Sequence, residues 1–127
     1  MNEGVIMKKV LVIVCLLFLC GCGNTKNTDG LISEVITSEQ LNSIIEENNY
    51  IILDVRTEAE FNESHIEGAV NIPYTTIDEN IELDKSKDIL VYCKSGGRSQ
   101  MATQTLNSLG YTVYDMGAID NIDLPKN

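Results

Sequence analysis

Cys93 and Arg98 stand five residues apart in Cys93-Lys94-Ser95-Gly96-Gly97-Arg98-Ser99, a segment where a thiol, two glycines, two hydroxyls and two cations fall together. The chemistry such a group could support is nucleophilic attack by sulfur. Thiol pKa values fall from about 8.5 into the range of about 3.5–7.5 at helix N-termini and beside cations, which makes the reactive thiolate available. Gly96 and Gly97 can take positive φ and carry no side chain to obstruct N–H groups converging on the sulfur. Successive N–H groups of such a loop, with the positive end of a following helix, form an anion cradle. Arg98 adds a permanent charge with a fork of donors suited to an oxyanion, so it is expected to organise the loop and to face an anionic substrate. Lys94 is a second attraction for such an anion, and Ser95 and Ser99 are candidate donors to the sulfur. The alternative is that Cys93 is a small apolar residue ending a strand.

The elements that must position this segment are legible on either side of it. Asp88–Cys93, "DILVYC", is a continuous apolar run of the kind found in buried parallel strands, and Tyr50–Val55, "YIILDV", is another. Met101, Thr105, Leu106 and Leu109 mark one face of a helix that Gly110 ends. Cys93 therefore falls between a buried strand and a helix, where open α/β sheets bind ligands. Elsewhere Ile32–Ile36 alternates as a half-buried edge strand, and Thr37-Ser38-Glu39-Gln40 opens a helix carrying Leu41, Ile44 and Ile45. Thr57-Glu58-Ala59-Glu60 is a second capping box leading to Phe61. Gly68–Ile72 forms a short strand closed by Pro73, Thr75–Ile81 a short helix, and Tyr111–Met116 the last strand. The alternation predicts an α/β sandwich on a mostly parallel sheet. Asp54 and Arg56 end a strand beside the site as a charge pair or loop brace, with Glu60 a candidate partner for Arg56. His65, the sole histidine, is expected to be structural.

The 127 residues, 43% apolar and 22% charged, suit one globular domain. The N-terminus is of another kind. Met7-Lys8-Lys9 precedes an eleven-residue apolar run, Val10–Cys20. A spanning helix needs roughly 20 residues, so the run reads as the core of an export signal, with the start at Met1 or Met7 left open. Leu19-Cys20-Gly21-Cys22 resembles the lipobox of bacterial lipoproteins, which implies a signal over residues 1–21, lipidation of Cys22 and an exported domain anchored to the bacterial membrane. An ordinary cleaved signal or an uncleaved anchor is the alternative. Residues 22–30 then form a polar tether, of which the eight after Cys22 reach at most about 28 Å, and the domain occupies 31–127. Cys15 and Cys20 leave with the signal and Cys22 carries lipid, so Cys93 alone remains as a thiol and no internal disulfide is available. From Cys22 onward seven Lys and Arg face eighteen Asp and Glu, a net charge of −11. That disfavours nucleic acid as a partner, and any anionic substrate must be attracted locally.

"YCKSGGRS" resembles the active loop of rhodanese-type sulfurtransferases. "LDVRTEAEFNESHIEGAVNIP" (Leu53–Pro73) is similar to the family's upstream block, and "LNSLGYTVYDMG" (Leu106–Gly117) to its closing helix and strand. The resemblance implies a rhodanese-like fold, a five-stranded, mainly parallel sheet with helices on both faces. It also implies that Cys93 takes a sulfane sulfur from a donor such as thiosulfate and passes it to a thiophilic acceptor, cyanide or a thiol, without a cofactor or metal. Substrate contacts would come from Lys94, Ser95, Gly96, Gly97, Arg98 and Ser99. The spacing C-x4-R is one residue shorter than the C-x5-R of phosphatase-type relatives and arsenate reductases, which favours sulfur over phosphorus. A persulfide carrier or docking module for an exported redox protein is the alternative from another class. The chain departs from the family at "MGAIDNIDLPKN", where members often carry Gly-Gly and Trp.

Overall fold

The computed structural model describes residues Ser33–Asn127. The expected export signal, Cys22 and the expected tether lie outside the described residues. Thr37 and Thr57 each close a capping box: the threonine side chain accepts from the N–H three residues on, Gln40 or Glu60, whose own side chain accepts from the threonine N–H. These reciprocal bonds satisfy donors that a helix start leaves unpaired. They begin α1 (Ser38–Glu47) and α2 (Glu58–Glu63). Asn48, at φ 53°, stops α1 in the left-handed conformation that asparagine tolerates.

Four strands follow one another in a parallel sheet: β1 (Tyr50–Asp54), β2 (Val70–Asn71), β3 (Asp88–Cys93) and β4 (Val113–Ala118), in the spatial order β2-β1-β3-β4. Of the edge strand expected at Ile32–Ile36, the described residues show a single parallel bridge from Val35 to Asp115 on the outer side of β4. Side chains alternate across β3. Ile89, Val91 and Cys93 enter one core with α3 (Gly97–Ser108), while Leu90 and Tyr92 enter the other with α1. Burial on both faces is why these strands read as unbroken apolar runs.

The strand expected at Gly68–Ile72 is shortened to Val70–Asn71, because Gly68, at φ 79°, lies in a turn closed by Ala69 N–H to Ile66 O, and three further boundaries differ from expectation for local reasons. Thr75–Ile81 holds only a single 3-10 turn, Tyr74–Thr76. After it the Asp78 carboxylate accepts from the Asn80 N–H, the kind of side-chain bond that competes with helix. The last strand starts late because Tyr111 N–H bonds to Leu106 O and Gly110 N–H to Asn107 O, with Gly110 at φ 93°, a Schellman closure of α3. It ends late because Met116 is an extra residue opposite the Val91–Tyr92 step, with Gly117 at φ 79°, the geometry of a β-bulge.

The buried face of α3 also differs. Met101 is 56% exposed and Thr105 is exposed, whereas Ser99, Ala102, Thr103 and Leu106 are buried. Leu106 and the half-buried Leu109 face the core as expected, but small residues fill the rest of the side that faces the sheet, so hydrophobicity marks only part of the buried stripe. Leu106→Ala is expected to cost about 2–5 kcal/mol of unfolding free energy, as for other buried leucines. Met101→Ala should stay within about 0.5 kcal/mol, as for surface positions. Urea denaturation of the two variants checks the assignment, and equal losses would contradict it.

Candidate active site

Cys93 is the last residue of β3, paired in register with Ala118, and is fully buried. Its Sγ accepts a hydrogen bond from Gly96 N–H at 2.9 Å. Gly96 makes this possible by taking φ 101° as the N-cap of α3. Nothing lies within 4 Å of where its Cβ would stand, so the requirement for glycine is conformational. Gly97, expected to share that role, has no positive φ and opens the helix instead. With glycine at the N-cap, no side chain takes up the first-turn N–H groups of α3, and they remain at the loop as anion donors. Ser99, a candidate donor to sulfur, instead donates from Oγ to Gly96 O at 3.0 Å and stiffens the turn.

Arg98 departs most from the sequence reading. Its Nη1 and Nη2 donate to Glu60 Oε2 at 2.7 Å and Oε1 at 3.0 Å. This is a bidentate pair of the strong, charge-assisted kind, and it links α3 to α2. Glu60 is thereby the partner of Arg98 and not, as expected, of Arg56. The Arg98 hydrogen bonds, helped by those from Thr57 and opposed by burial, lower the Glu60 pKa to about 2. Arg98 is raised above its ordinary value, first by Glu60, with coulombic attraction to Cys93 among the smaller causes. The donor fork of Arg98 is therefore committed to a carboxylate.

Arg56 pairs with Asp54 inside the protein. Its backbone N–H and Nε donate to Asp54 Oδ1 at 2.9 and 3.0 Å, and its Nη2 donates to Oδ2 at 2.7 Å and to Ser64 O at 2.6 Å. Asp54 is fully buried and Arg56 is 4% exposed. Burial opposes the Arg56 charge, but the hydrogen bonds and attraction of Asp54 outweigh it and the pKa is raised. The neighbour that sequence reasoning misses is Tyr92, the residue before Cys93. Its hydroxyl accepts from Ile66 N–H at 3.1 Å, and the Arg56 guanidinium lies 5.5 Å from its ring centroid. Burial, then Asp54, pushes the phenol pKa up. A polar tip inside "ILVYC" is the available signal, because a buried tyrosine hydroxyl needs a partner.

The loop separates two cavities. Lys94, exposed, lines one of about 180 Å³ with Arg56 and the C-terminal tail. Ser95, also exposed, and Gly96 line another of about 300 Å³ with Val35, Leu41 and Met116. His65 stacks on Phe61 with ring centroids 3.9 Å apart, and its Nδ1 lies 2.9 Å from Phe61 O. Its backbone exchanges hydrogen bonds with Asn127. The divergent tail is thereby fastened, with Ile122 buried and Ile66 bridged to Lys126.

Fold and site together define a compact α/β domain built around one buried cysteine in a backbone loop at a helix start. Residues 37–119 match the rhodanese-like domain, and the chain belongs to that family. The thiosulfate sulfurtransferase PspE of Escherichia coli is 36% identical over 78 residues, 58% of this chain and 75% of that protein. The putative sulfur carrier protein YrkF of Bacillus subtilis is 39% identical over 61 residues, 47% of this chain but only 33% of YrkF. A solved rhodanese-related protein from Thermoplasma volcanium superposes with a TM-score of 0.63 at 29% identity, covering 74% of this chain and 97% of its own. Sulfur transfer is the general chemistry that the family and the sulfurtransferase relative support.

The two charge clamps differ in their response to perturbation. The folded pKa of Glu60 is depressed to about 2. Its stabilisation is therefore fully present above the ordinary glutamate value of about 4.3 and is lost as pH falls through the folded value. Urea midpoints of wild type and Glu60→Gln should differ at neutral pH and converge across that window; a constant gap would refute the clamp. Asp54→Asn, which strips a buried cation of its partner, should cost about 3–5 kcal/mol.

Proposed function

We propose that this domain is a sulfurtransferase that carries sulfane sulfur as a persulfide on Cys93. In the first step the Cys93 thiolate attacks the outer sulfur of thiosulfate. The Sγ–S bond forms, the S–S bond of thiosulfate breaks, and its electron pair leaves with sulfite. In the second step an acceptor nucleophile takes the outer sulfur and returns Cys93 to thiolate: cyanide becomes thiocyanate, or a thiolate becomes a persulfide. No net oxidation occurs.

The observation that carries this reading is the hydrogen bond from Gly96 N–H to Cys93 Sγ at the start of α3. Such donors favour an anionic sulfur, and the outgoing persulfide needs the same environment. The short C-x4-R ring points the same way. Lys94, directly after Cys93 and exposed, is the cation placed to attract an anionic donor, while Ser95 rims the loop. Arg98 and Arg56 act as braces because both forks are occupied by carboxylates. We further propose that the domain works outside the cell, held at the membrane by lipidated Cys22, on the strength of the lipobox-like sequence.

The similarity to YrkF favours a second reading, a persulfide carrier that loads Cys93 but awaits a protein acceptor, such as an exported redox protein. Thiocyanate formation from thiosulfate and cyanide, wild type beside Cys93→Ser, separates the possibilities. Wild type should turn over and Cys93→Ser should fall to background; equal rates would overturn the assignment. A Cys93-dependent mass increase of one sulfur without turnover would select the carrier.

A further inference from the structure

We propose, building on the sulfur-transfer reading above, that residues 94–97 form a gate over Cys93. The gate uncovers the sulfur by swinging into the cavity on the opposite face of the sheet, with Gly97 as its hinge. The need for a gate follows from burial. Cys93 is 0% exposed, and it lines neither of the two cavities beside the loop. Gly96 N–H covers the Sγ at 2.9 Å. Sulfur exchange depends on access to the attacking thiolate, so the covered position has to open before transfer. Room for that lies on the other face. The Cys93 side chain enters the core shared with α3, beside Ala102 and Leu106, whereas the cavity of about 300 Å³ is lined by Leu41, Met116 and Ile122 of the core shared with α1. Ser95 and Gly96 form a wall of that cavity. Moving these two residues into it carries the Gly96 N–H off the sulfur.

The two ends of the gate are fixed. Cys93 is paired in register with Ala118, and Arg98 is bound through both Nη atoms to Glu60. Motion is thereby confined to the four residues between them, of which Lys94 and Ser95 are exposed. Gly97 adjoins the fixed Arg98, and the covered state gives no reason for it to be glycine. Its φ is not positive, and nothing lies within 4 Å of where its Cβ would stand. Glycine in a helix is less favourable than alanine. A second conformation supplies the reason. Hinges are often small residues at element ends that absorb a large change in φ and ψ. Gly97, the first residue of α3, is free to enter the left-handed region that other residues resist.

The test is alkylation of the full chain in detergent by iodoacetamide, a neutral reagent, with the label on the Cys93 peptide read by mass spectrometry. Per thiolate, wild type should react about 10–1,000 times more slowly than the urea-unfolded chain, as for a minor state populated at about 0.1–10%. Asn42, exposed on α1, lines the cavity on the face of the sheet away from the sulfur. Asn42→Trp fills that space and should slow labelling about tenfold further, the scale of an overpacking penalty. Ser38→Phe, one turn earlier on the same wall, takes its place if Asn42→Trp fails to fold. Gly97→Ala should slow labelling by about the same factor by withholding the left-handed region. kcat/KM for thiosulfate should fall in parallel in each variant. Wild-type labelling as fast as in the unfolded chain, rates unmoved in the cavity or hinge variant, or slowed labelling with unchanged turnover would overturn the gate. Cys93-dependent thiocyanate formation would then leave the sulfur-transfer reading standing, whereas its absence from wild type would overturn that reading as well.

Discussion

The buried Asp54–Arg56 pair is the constraint on which the site depends. Removing two charges from water costs several kcal/mol per ion, which only near-complete hydrogen bonding offsets. Here the carboxylate receives the Arg56 backbone and guanidinium, and the guanidinium reaches on to Ser64 O and lies over the Tyr92 ring. Asn71 Nδ2 donates to the carbonyls of both Asp54 and Arg56 at 3.0 Å. The pair thus joins the end of β1 to β2, to the turn after α2 and to the residue beside Cys93. Any shift at one of these leaves a buried charge unanswered, so the end of β3 is held in one position.

The second clamp works at the surface. Glu60 and Arg98 are a quarter to a third exposed, so the link between α2 and α3 is screened more than the buried pair. It fixes the start of α3, and with it the direction of the first-turn N–H groups. Both arginines near the site therefore shape it. Neither fork is free to grip an anion, which leaves the backbone amides of the loop and Lys94 as the cationic or donor groups beside Cys93 without a carboxylate partner. That division suits a chain whose residues from Cys22 onward carry a net charge of −11, in which a local cradle must act against the overall field.

The glycine loop converts this rigidity into chemistry. Within the loop Gly96 alone adopts the left-handed backbone that turns its N–H toward Cys93 Sγ, and Ser99 locks its carbonyl. The tail then closes the opposite wall: His65 and Ile66 bind Asn127 and Lys126, which brings Lys126 to the cavity beside Lys94. A C-terminus that departs from the family pattern still completes the site, through backbone pairing that needs no particular side chain.

Features set by neighbours in the chain can be read without the structure. The unbroken apolar runs of β1 and β3, the capping boxes at Thr37 and Thr57, the stop at Gly110 and the cysteine loop all rest on propensities and bonds within a few residues. Contacts across long separations belong to the tertiary structure. Glu60 stands four residues from Arg56 and thirty-eight from Arg98, yet the packing of α2 against the loop gives it to Arg98. Tyr92 reads as core because the Ile66 N–H on its hydroxyl and the Arg56 guanidinium over its ring come from other segments. The buried face of α3 is only half legible in the apolar pattern, through Leu106 and Leu109, because small residues such as Ser99, Ala102 and Thr103 can face a sheet as well as leucines can, and only the placed helix shows that they do. Which charges face the Lys94 cavity depends on the same thing, since ion pairs are settled by distance in space and the sequence supplies only the candidates.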